Sequence, residues 1–164
     1  LLKNIGLKSL TNNYQSFSSG FKRDVIEINQ GNFSLRILPL ICYEIIYSGK
    51  LYTDSNFDLI INISEDGWFG KSIGPKQHFS HSIFRAIESG KYVVRSSNNG
   101  IAAVINPLGV VEQNIELGKS GYIDLNKVKK IKPTLFSQYG NKIFVLLILL
   151  YIFLILLFNR AKNE

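Results

Sequence analysis

Residues 33–44 read FSLRILPLICYE, an aliphatic run that ends at a cysteine and continues into tyrosine and glutamate. The segment from Phe33 to Cys42 has the composition of a buried strand, and residues 43–51 fit a short helix. Pro39 has no amide hydrogen, so we expect a local irregularity of the strand at that residue. The stretch therefore predicts a turn from strand to helix, with Cys42 where the two meet.

Strand and helix patterns alternate over the rest of residues 20–133. A helix is predicted over 78–91, because apolar residues recur there at helical spacing and Gly90 lies near the end. The NNG tripeptide at 98–100 and the PLG tripeptide at 107–109 each predict a tight turn. This order of elements predicts an α/β or α+β layered fold. Further strand patterns lie at 25–28, 57–63, 92–97, 101–106 and 110–111.

Composition excludes several protein classes. The 164 residues include 46% apolar residues, one cysteine, and 19 Lys+Arg against 12 Asp+Glu for a net charge of +7. A collagen-like chain, a disordered tail and a disulfide scaffold are all incompatible with these values. The length is sufficient for one domain with its own hydrophobic core. Because the sequence begins with leucine and contains no methionine, we expect a fragment of a longer protein.

An unbroken apolar run, IFVLLILLYIFLILLF, occupies residues 143–158. As a helix it would be about 24 Å long at ~1.5 Å per residue, and Lys142 and Arg160 could extend their charges toward lipid headgroups. A helix that is apolar on every side predicts a transmembrane span rather than a core helix. More lysines precede the run than follow it, which favours a cytoplasmic globular part. Large domains weaken that rule, so the charge count leaves sidedness open.

Cys42 has two interpretations. At the end of a strand and the start of a helix, its thiol would lie near unpaired amide groups that favour the thiolate, which makes it a candidate nucleophile. Most single cysteines are instead small buried hydrophobic residues. Glu44 is two residues away and does not face Cys42 on a helix, so we expect it to orient a neighbour or line a pocket.

Other patterns predict no separate chemistry. The GKS tripeptide at 70–72 lacks the first glycine of a phosphate-binding loop, because that position is Glu65. His78 and His81 have no third ligand at metal-site spacing, so we expect them on the surface or on a pocket wall. We therefore predict neither a metal nor an organic cofactor.

Two charged patterns also have simple interpretations. The lysine-rich segment 127–132 suits anionic lipid headgroups beside a membrane span, and no nucleic-acid-binding module accompanies it. Arg85 and Glu88 are expected to form an exposed pair on the predicted helix. The sequence thus predicts a lipid partner and no nucleic acid.

Six short motifs follow one another in the sequence: ICYE at 41–44, NISEDGWFG at 62–70, QH at 77–78, RAIE at 85–88, RSSNNG at 95–100 and NPLG at 106–109. In this order they resemble the C-terminal half of the bacterial apolipoprotein N-acyltransferases, which are nitrilase-like carbon-nitrogen hydrolases. The resemblance runs from about Ser18 to the end of the chain. It implies a nitrilase-like α-β-β-α sandwich, of which this is the C-terminal part over 1–136, with a transmembrane helix and short tail over 137–164.

The resemblance also implies an activity and a location. Such an enzyme transfers an acyl chain from a phospholipid to a cysteine thioester, and then to the N-terminal amine of a diacylglyceryl-cysteine lipoprotein. It is a multi-pass protein of the bacterial inner membrane with a periplasmic catalytic domain. Its partners would be the phospholipid donor, the lipoprotein acceptor and the membrane.

By the same resemblance Cys42 is the nucleophile, Tyr43 and Glu44 surround it, and the loop with Trp68 and Phe69 shapes the pocket. The catalytic glutamate and lysine of the family lie upstream of the cysteine, the lysine in a stretch that should just precede Leu1, and neither Lys3 nor Lys8 belongs to that motif. We therefore expect the 164 residues alone to be inactive. Glu65 stands where an asparagine is common, which can alter the loop.

Two alternatives share parts of this pattern. A membrane-anchored carbon-nitrogen hydrolase, such as an amidase, would use water as its acceptor. A catalytically dead domain would bind lipid or protein without chemistry. The terminal apolar run and the Cys-Tyr-Glu string disfavour the hydrolase. The dead domain is the expected alternative if the parent gene lacks the upstream lysine and glutamate.

Overall fold

The computed structural model describes residues 24–49 and 56–162. Within these ranges one mixed sheet has its strands in sequence order from β1 to β6. Two short 3-10 helices cover Cys42–Ile46 and Gly67–Phe69. The strands are β1 Ile26–Gln30, β2 Phe33–Ile41, β3 Leu59–Glu65, β4 Tyr92–Asn98, β5 Ala102–Ile105 and β6 Val111–Ile115, and the helices are α1 Gly74–Ser89, α2 Leu135–Tyr139 and α3 Lys142–Lys162.

The three central strands are parallel, and the outer pairings are antiparallel. Leu40 pairs with Asn62, which in turn pairs with Arg95. Parallel neighbours need a crossover connection, and α1 supplies it between β3 and β4. The carboxyl ends of β2, β3 and β4 therefore meet at one edge of the sheet, where open α/β sheets commonly place their sites.

The hydrophobic core lies between α1 and one face of the sheet. Alternating strand residues such as Leu38, Ile60 and Val93 are fully buried there against Ala86 of α1. The opposite face carries a smaller buried cluster, against which the segment 123–128 packs in part. This alternation is the period-2 pattern of strands, and it confirms the predicted layered arrangement of sheet and helix.

Two expectations around β2 are wrong. The strand runs through Pro39 without a register shift, with Pro39 opposite Ile61. In the described residues β1 pairs with β2 only as far as Ile37, so a missing amide donor is tolerated beyond that point. The helix expected over 43–51 is a single 3-10 segment that ends at Ile46, because Tyr47 is already extended. Leu51, like Lys3 and Lys8, lies outside the described residues.

The predicted helix over 78–91 is α1, which begins four residues earlier. Pro75 occupies its first turn, where proline is well tolerated, and Gly90 ends it in the left-handed conformation with φ 66°. Arg85 and Glu88 are not exposed, as the sequence suggested, but 5% and 8% accessible. They form a 2.9 Å ion pair on the buried side of α1, and Arg85 also donates to the carbonyl oxygen of Tyr47.

The apolar run near the C-terminus forms α3. Residues Lys142–Arg160 have a mean hydropathy of 2.7, and none of that window is buried in the structure. The helix is thus long and apolar enough to cross a membrane, by length and composition. Thr134 caps the preceding α2 and also donates to the carbonyl of Glu88, which ties the start of this segment to α1.

Candidate active site

Cys42 lies at the carboxyl end of β2 in a left-handed backbone conformation, with φ 47°. A non-glycine residue in this region costs roughly 1–3 kcal/mol and persists only when its surroundings hold it. Two donors hold the carbonyl oxygen of Cys42: Nε2 of His78 at 3.2 Å and Nδ2 of Asn62 at 3.3 Å. The sharp turn presents a half-buried thiol at the edge of the sheet.

The thiol lies among polar groups of β3. Its sulfur is 3.7 Å from Oγ of Ser64 and 4.0 Å from the carbonyl oxygen of Glu65. Ser64 donates its hydroxyl hydrogen to Oδ1 of Asp66 at 2.7 Å. The thiol in turn points its hydrogen toward the carbonyl oxygen of Glu65.

A buried polar network lies directly beneath this turn. Oδ1 of Asp66 is 2.8 Å from Nδ1 of His78, and Nη2 of Arg95 donates to Oδ2 of Asp66 at 2.7 Å. Arg95 also donates from Nη1 to Oδ1 of Asn62. The side chains of Asp66 and Arg95 are completely inaccessible to solvent. Buried charges are retained only when they are paired and hydrogen-bonded, and this network meets that condition.

Asp66 stays ionised in this setting. Burial acts to raise the pKa of Asp66, but the hydrogen bond from Ser64, together with the charge and hydrogen bond of Arg95, outweighs it and holds the pKa below 3.8. A carboxyl group whose pKa is lower in the folded than in the unfolded protein stabilises the fold at any pH above its unfolded-state pKa. This contribution is lost as the pH falls through its folded-state pKa. The network is thus acid-sensitive below about pH 4.

Tyr43 and Glu44 have different surroundings. The Tyr43 ring lies 5.4 Å from the ring of His78, centroid to centroid, and is 54% exposed. Glu44 turns back toward the strand, where its Oε2 accepts the amide hydrogen of Ile41 at 2.8 Å. The Tyr43 ring thus lies beside His78, whereas the Glu44 carboxylate bonds to the backbone at the start of the turn.

The two aromatic residues of the predicted pocket loop have different surroundings. Phe69 packs its ring against His78 at 5.7 Å, whereas Trp68 is 87% exposed. Glu65 accepts the amide hydrogen of Gly67 at 2.6 Å and contacts Nδ2 of Asn98. Glu65 therefore links Gly67 of this loop to Asn98 at the end of β4.

A cleft of about 330 Å³ opens beside the turn, between the 3-10 helix after Cys42 and the first turns of α1. Aromatic and polar groups share its walls. His78, which the sequence placed on the surface or on a pocket wall, lines the cleft and is 2% accessible. The lining residues are Tyr43, Ile46, Phe69, Gly74, Gln77, His78, Ser80 and His81.

The supporting residues were not among the candidates from sequence. Polar residues interrupt the apolar strands β3 and β4 on the face that packs against α1. They are Asn62 and Ser64, two residues apart in β3, and Arg95 in β4. Polar residues on the buried face of a strand need partners, so they indicate a site rather than a simple core. Their alternation was the signal that could have identified the network.

We expect Gly100→Ala to destabilise the fold by about 1–3 kcal/mol through overpacking. A Cβ at Gly100 would overlap Oδ2 of Asp66 and Oγ of Ser97, and Asp66 is held by its ion pair. Gly121→Ala is the matched control, because the nearest atom is the end of the Ile115 side chain at 3.3 Å. Urea unfolding followed by circular dichroism measures both; equal midpoints would contradict the prediction.

The chain is similar in sequence to several apolipoprotein N-acyltransferases. It is 48% identical over 125 residues to that of Rickettsia bellii, covering 75% of this chain and 25% of the relative. It is 41% identical over 134 residues to that of Rickettsia prowazekii, covering 80% and 27%. It is 35% identical over 165 residues to that of Rhodopseudomonas palustris, covering 100% and 30%. The chain thus spans 25% to 30% of the length of these relatives.

Among solved structures, an amidase from Nesterenkonia sp. AN1 is similar with a TM-score of 0.45 and 15% identity, over 62% of this chain and 41% of the amidase. The family model for carbon-nitrogen hydrolases matches residues 8–129. The mixed sheet with its helices is the nitrilase-like fold expected of that family. The chain therefore belongs to the carbon-nitrogen hydrolase family.

Proposed function

We propose that this chain is the cysteine-bearing part of an apolipoprotein N-acyltransferase. The observation that carries the proposal is Cys42 itself, held in a left-handed turn at the carboxyl edge of three parallel strands. The similarity to acyltransferases over 75% or more of the chain supports the choice of reaction within the family. Phospholipid is the proposed donor and a diacylglyceryl-cysteine lipoprotein the proposed acceptor.

The proposed reaction has two acyl transfers. The thiolate of Cys42 attacks an ester carbonyl of the phospholipid, the ester C–O bond breaks, and the lysophospholipid alcohol leaves with a proton. The lipoprotein amine then attacks the thioester, an amide bond forms as the acyl C–S bond breaks, and the proton lost by the amine restores the thiol. Each step needs proton transfer and a donor for the tetrahedral oxyanion.

In this proposal the 164 residues supply the nucleophile and the groups that hold it. The base and the donor for the oxyanion come from residues that precede Leu1. A glutamate would act as base and a lysine would stabilise the oxyanion, as the family resemblance implies. We therefore expect the isolated 164 residues to show no acyl transfer from labelled phospholipid. Measurable transfer by the isolated chain would contradict this division of roles.

We propose that residues 137–164 anchor the enzyme in the bacterial inner membrane and that residues 1–136 are part of its catalytic domain. Both substrates reside in the bilayer, so an anchored site meets them at a high effective concentration. We place the catalytic part on the periplasmic side of a multi-pass protein. Labelling of Cys42 by a membrane-impermeant maleimide in spheroplasts tests this side, in the complete gene product with any other cysteine replaced by serine; labelling of Cys42 only in inverted vesicles would contradict it.

We expect removal of α3 to release the chain from membranes. The whole chain should resist alkaline carbonate, whereas a variant that ends at Asn141 should appear in the supernatant, because the apolar window is what enters the hydrocarbon layer. Replacing residues 143–158 by an alternating leucine-alanine segment of equal length is the control, and it should keep the chain in the pellet. Release of the whole chain would contradict the proposed anchor.

The experiment that tests the function separates transfer from hydrolysis. The complete product of the gene that encodes these residues is incubated with phospholipid carrying a labelled acyl chain and a diacylated lipoprotein peptide. We expect the label on the peptide amine, with lysophospholipid as co-product. Label found only as free fatty acid, together with amide hydrolysis, would favour a membrane-anchored hydrolase of the same family instead.

A further inference from the structure

The strained backbone conformation of Cys42 must be stabilised by contacts with other residues. Its φ of 47° is one of two left-handed values among the described residues other than glycine, the second being Asn99 in a hairpin turn. A turn residue such as asparagine adopts this conformation readily, whereas cysteine does not. Something beyond local preference must therefore fix the peptide group that follows Cys42.

His78 is in position to do so. Its Nε2 lies 3.2 Å from the carbonyl oxygen of Cys42, and a carbonyl oxygen can only accept, so Nε2 carries the hydrogen. The ring is 2% accessible, and its centroid lies 5.4 Å from that of the Tyr43 ring and 5.7 Å from that of the Phe69 ring. Burial and these two contacts restrict its rotation.

The other ring nitrogen ties His78 to the buried charges. Nδ1 lies 2.8 Å from Oδ1 of Asp66, 3.2 Å from Nη2 of Arg95 and 3.5 Å from Oγ of Ser64. Arg95 also orients Asn62, whose amide gives Cys42 its second donor. One buried guanidinium thus fixes both groups that hold the nucleophile's carbonyl.

We propose that His78 is a positioning residue for the nucleophile: its Nε2–H holds the carbonyl of Cys42 and thereby directs the thiol, with Asp66 and Arg95 fixing the ring. This rests on the proposed function, in which Cys42 forms the thioester. The histidine touches no reacting atom. Its effect is on the orientation of the sulfur, where misplacement by about 1 Å can cost roughly a hundred-fold in rate.

Two substitutions separate this role from simple packing. In His78→Gln the side-chain amide can occupy the place of Nε2 and donate to Cys42, whereas in His78→Asn it is too short and occupies the place of Nδ1. In the complete gene product we expect His78→Asn to lower kcat about a hundred-fold with KM for phospholipid unchanged. His78→Gln should restore kcat to within about ten-fold of the unchanged protein. Lys76→Gln, on the exposed side of the same helix, is the control and should leave both values unchanged.

A spectroscopic signature reports on the contact itself. Because the sequence has one cysteine, [1-13C]cysteine gives a single labelled carbonyl in the 164-residue chain in micelles. Loss of the hydrogen bond should move this resonance to lower frequency in His78→Asn, and less in His78→Gln. Equal movement in both variants, or none in either, would overturn the proposal.

The unchanged protein offers a measurement that does not depend on a variant folding. With ring 15N-labelled histidine and the same 13C label, rotational-echo dephasing in liposomes should detect a short distance from a histidine ring nitrogen to the Cys42 carbonyl. Absence of dephasing would overturn the proposal. Acyl transfer that survives Cys42→Ala would instead refute the proposed function, while the carbonyl measurements would still stand.

Discussion

Cys42→Ala is expected to abolish lipoprotein N-acylation by the complete gene product, with a loss of at least about a thousand-fold. The sulfur is the proposed atom that carries the acyl group between donor and acceptor, and alanine leaves nothing to form the thioester. The substitution also removes a thiol that makes only long contacts, at 3.7 and 4.0 Å, so the fold should persist. Peptide mass spectrometry of the lipoprotein N-terminus measures the loss.

The control for this variant is Ser34→Ala, at an exposed position of the same strand. It removes a similarly small polar atom far along β2 from Cys42 and should leave N-acylation unchanged. Circular dichroism of both variants confirms that any loss is not unfolding. Undiminished N-acylation by Cys42→Ala would refute the proposed nucleophile.

Arg95→Met is expected to cause the largest loss of stability, about 3–5 kcal/mol. The substitution leaves the carboxylate of Asp66 buried without its cation, and leaves Oδ1 of Asn62 without the donor from Nη1. Urea unfolding followed by circular dichroism measures the change. Lys119→Met is the matched control: its 3.0 Å pair with Glu116 is exposed on both sides, and such pairs contribute about 0–1 kcal/mol.

A double variant shows whether the buried charge is the cause. Asp66→Asn combined with Arg95→Met removes both charges, so it should be more stable than Arg95→Met alone. The dependence of the free energy of unfolding on pH, in the acid range, gives a second measurement. The hydrogen bond from Ser64 and the ion pair with Arg95 together keep the pKa of Asp66 low, and Arg95→Met removes the second of these. The loss of stability below about pH 4 should therefore be smaller in Arg95→Met. Equal unfolding midpoints for Arg95→Met and Lys119→Met would contradict the account.

Local patterns were sufficient to predict most of the architecture. The aliphatic runs that become β2 and β3, the helix ended by Gly90 and the apolar run of α3 each carry a strong periodic or compositional signal. The turn at 98–100 was also predicted, and the structure places the positive φ of 54° at Asn99. The position of Cys42 between strand and helix followed from the same patterns.

What remained hidden depends on contacts distant in sequence. His78 was expected on the surface or on a pocket wall, and it does line the cleft, but its burial had no local signal because its partner Asp66 lies in a loop twelve residues earlier. Arg95 meets Asp66 only because β3 and β4 are parallel neighbours. Arg85 and Glu88 likewise looked exposed because their spacing is that of a surface pair, yet the helix buries them together.

The most direct test of the central claim is the intact mass of the complete gene product after brief exposure to phospholipid without an acceptor. We predict one added acyl chain, located on the peptide that contains Cys42, released by hydroxylamine and consumed when the lipoprotein peptide is added. Acylation at another residue, or transfer to the lipoprotein with no acyl group ever detected on Cys42, would contradict the account.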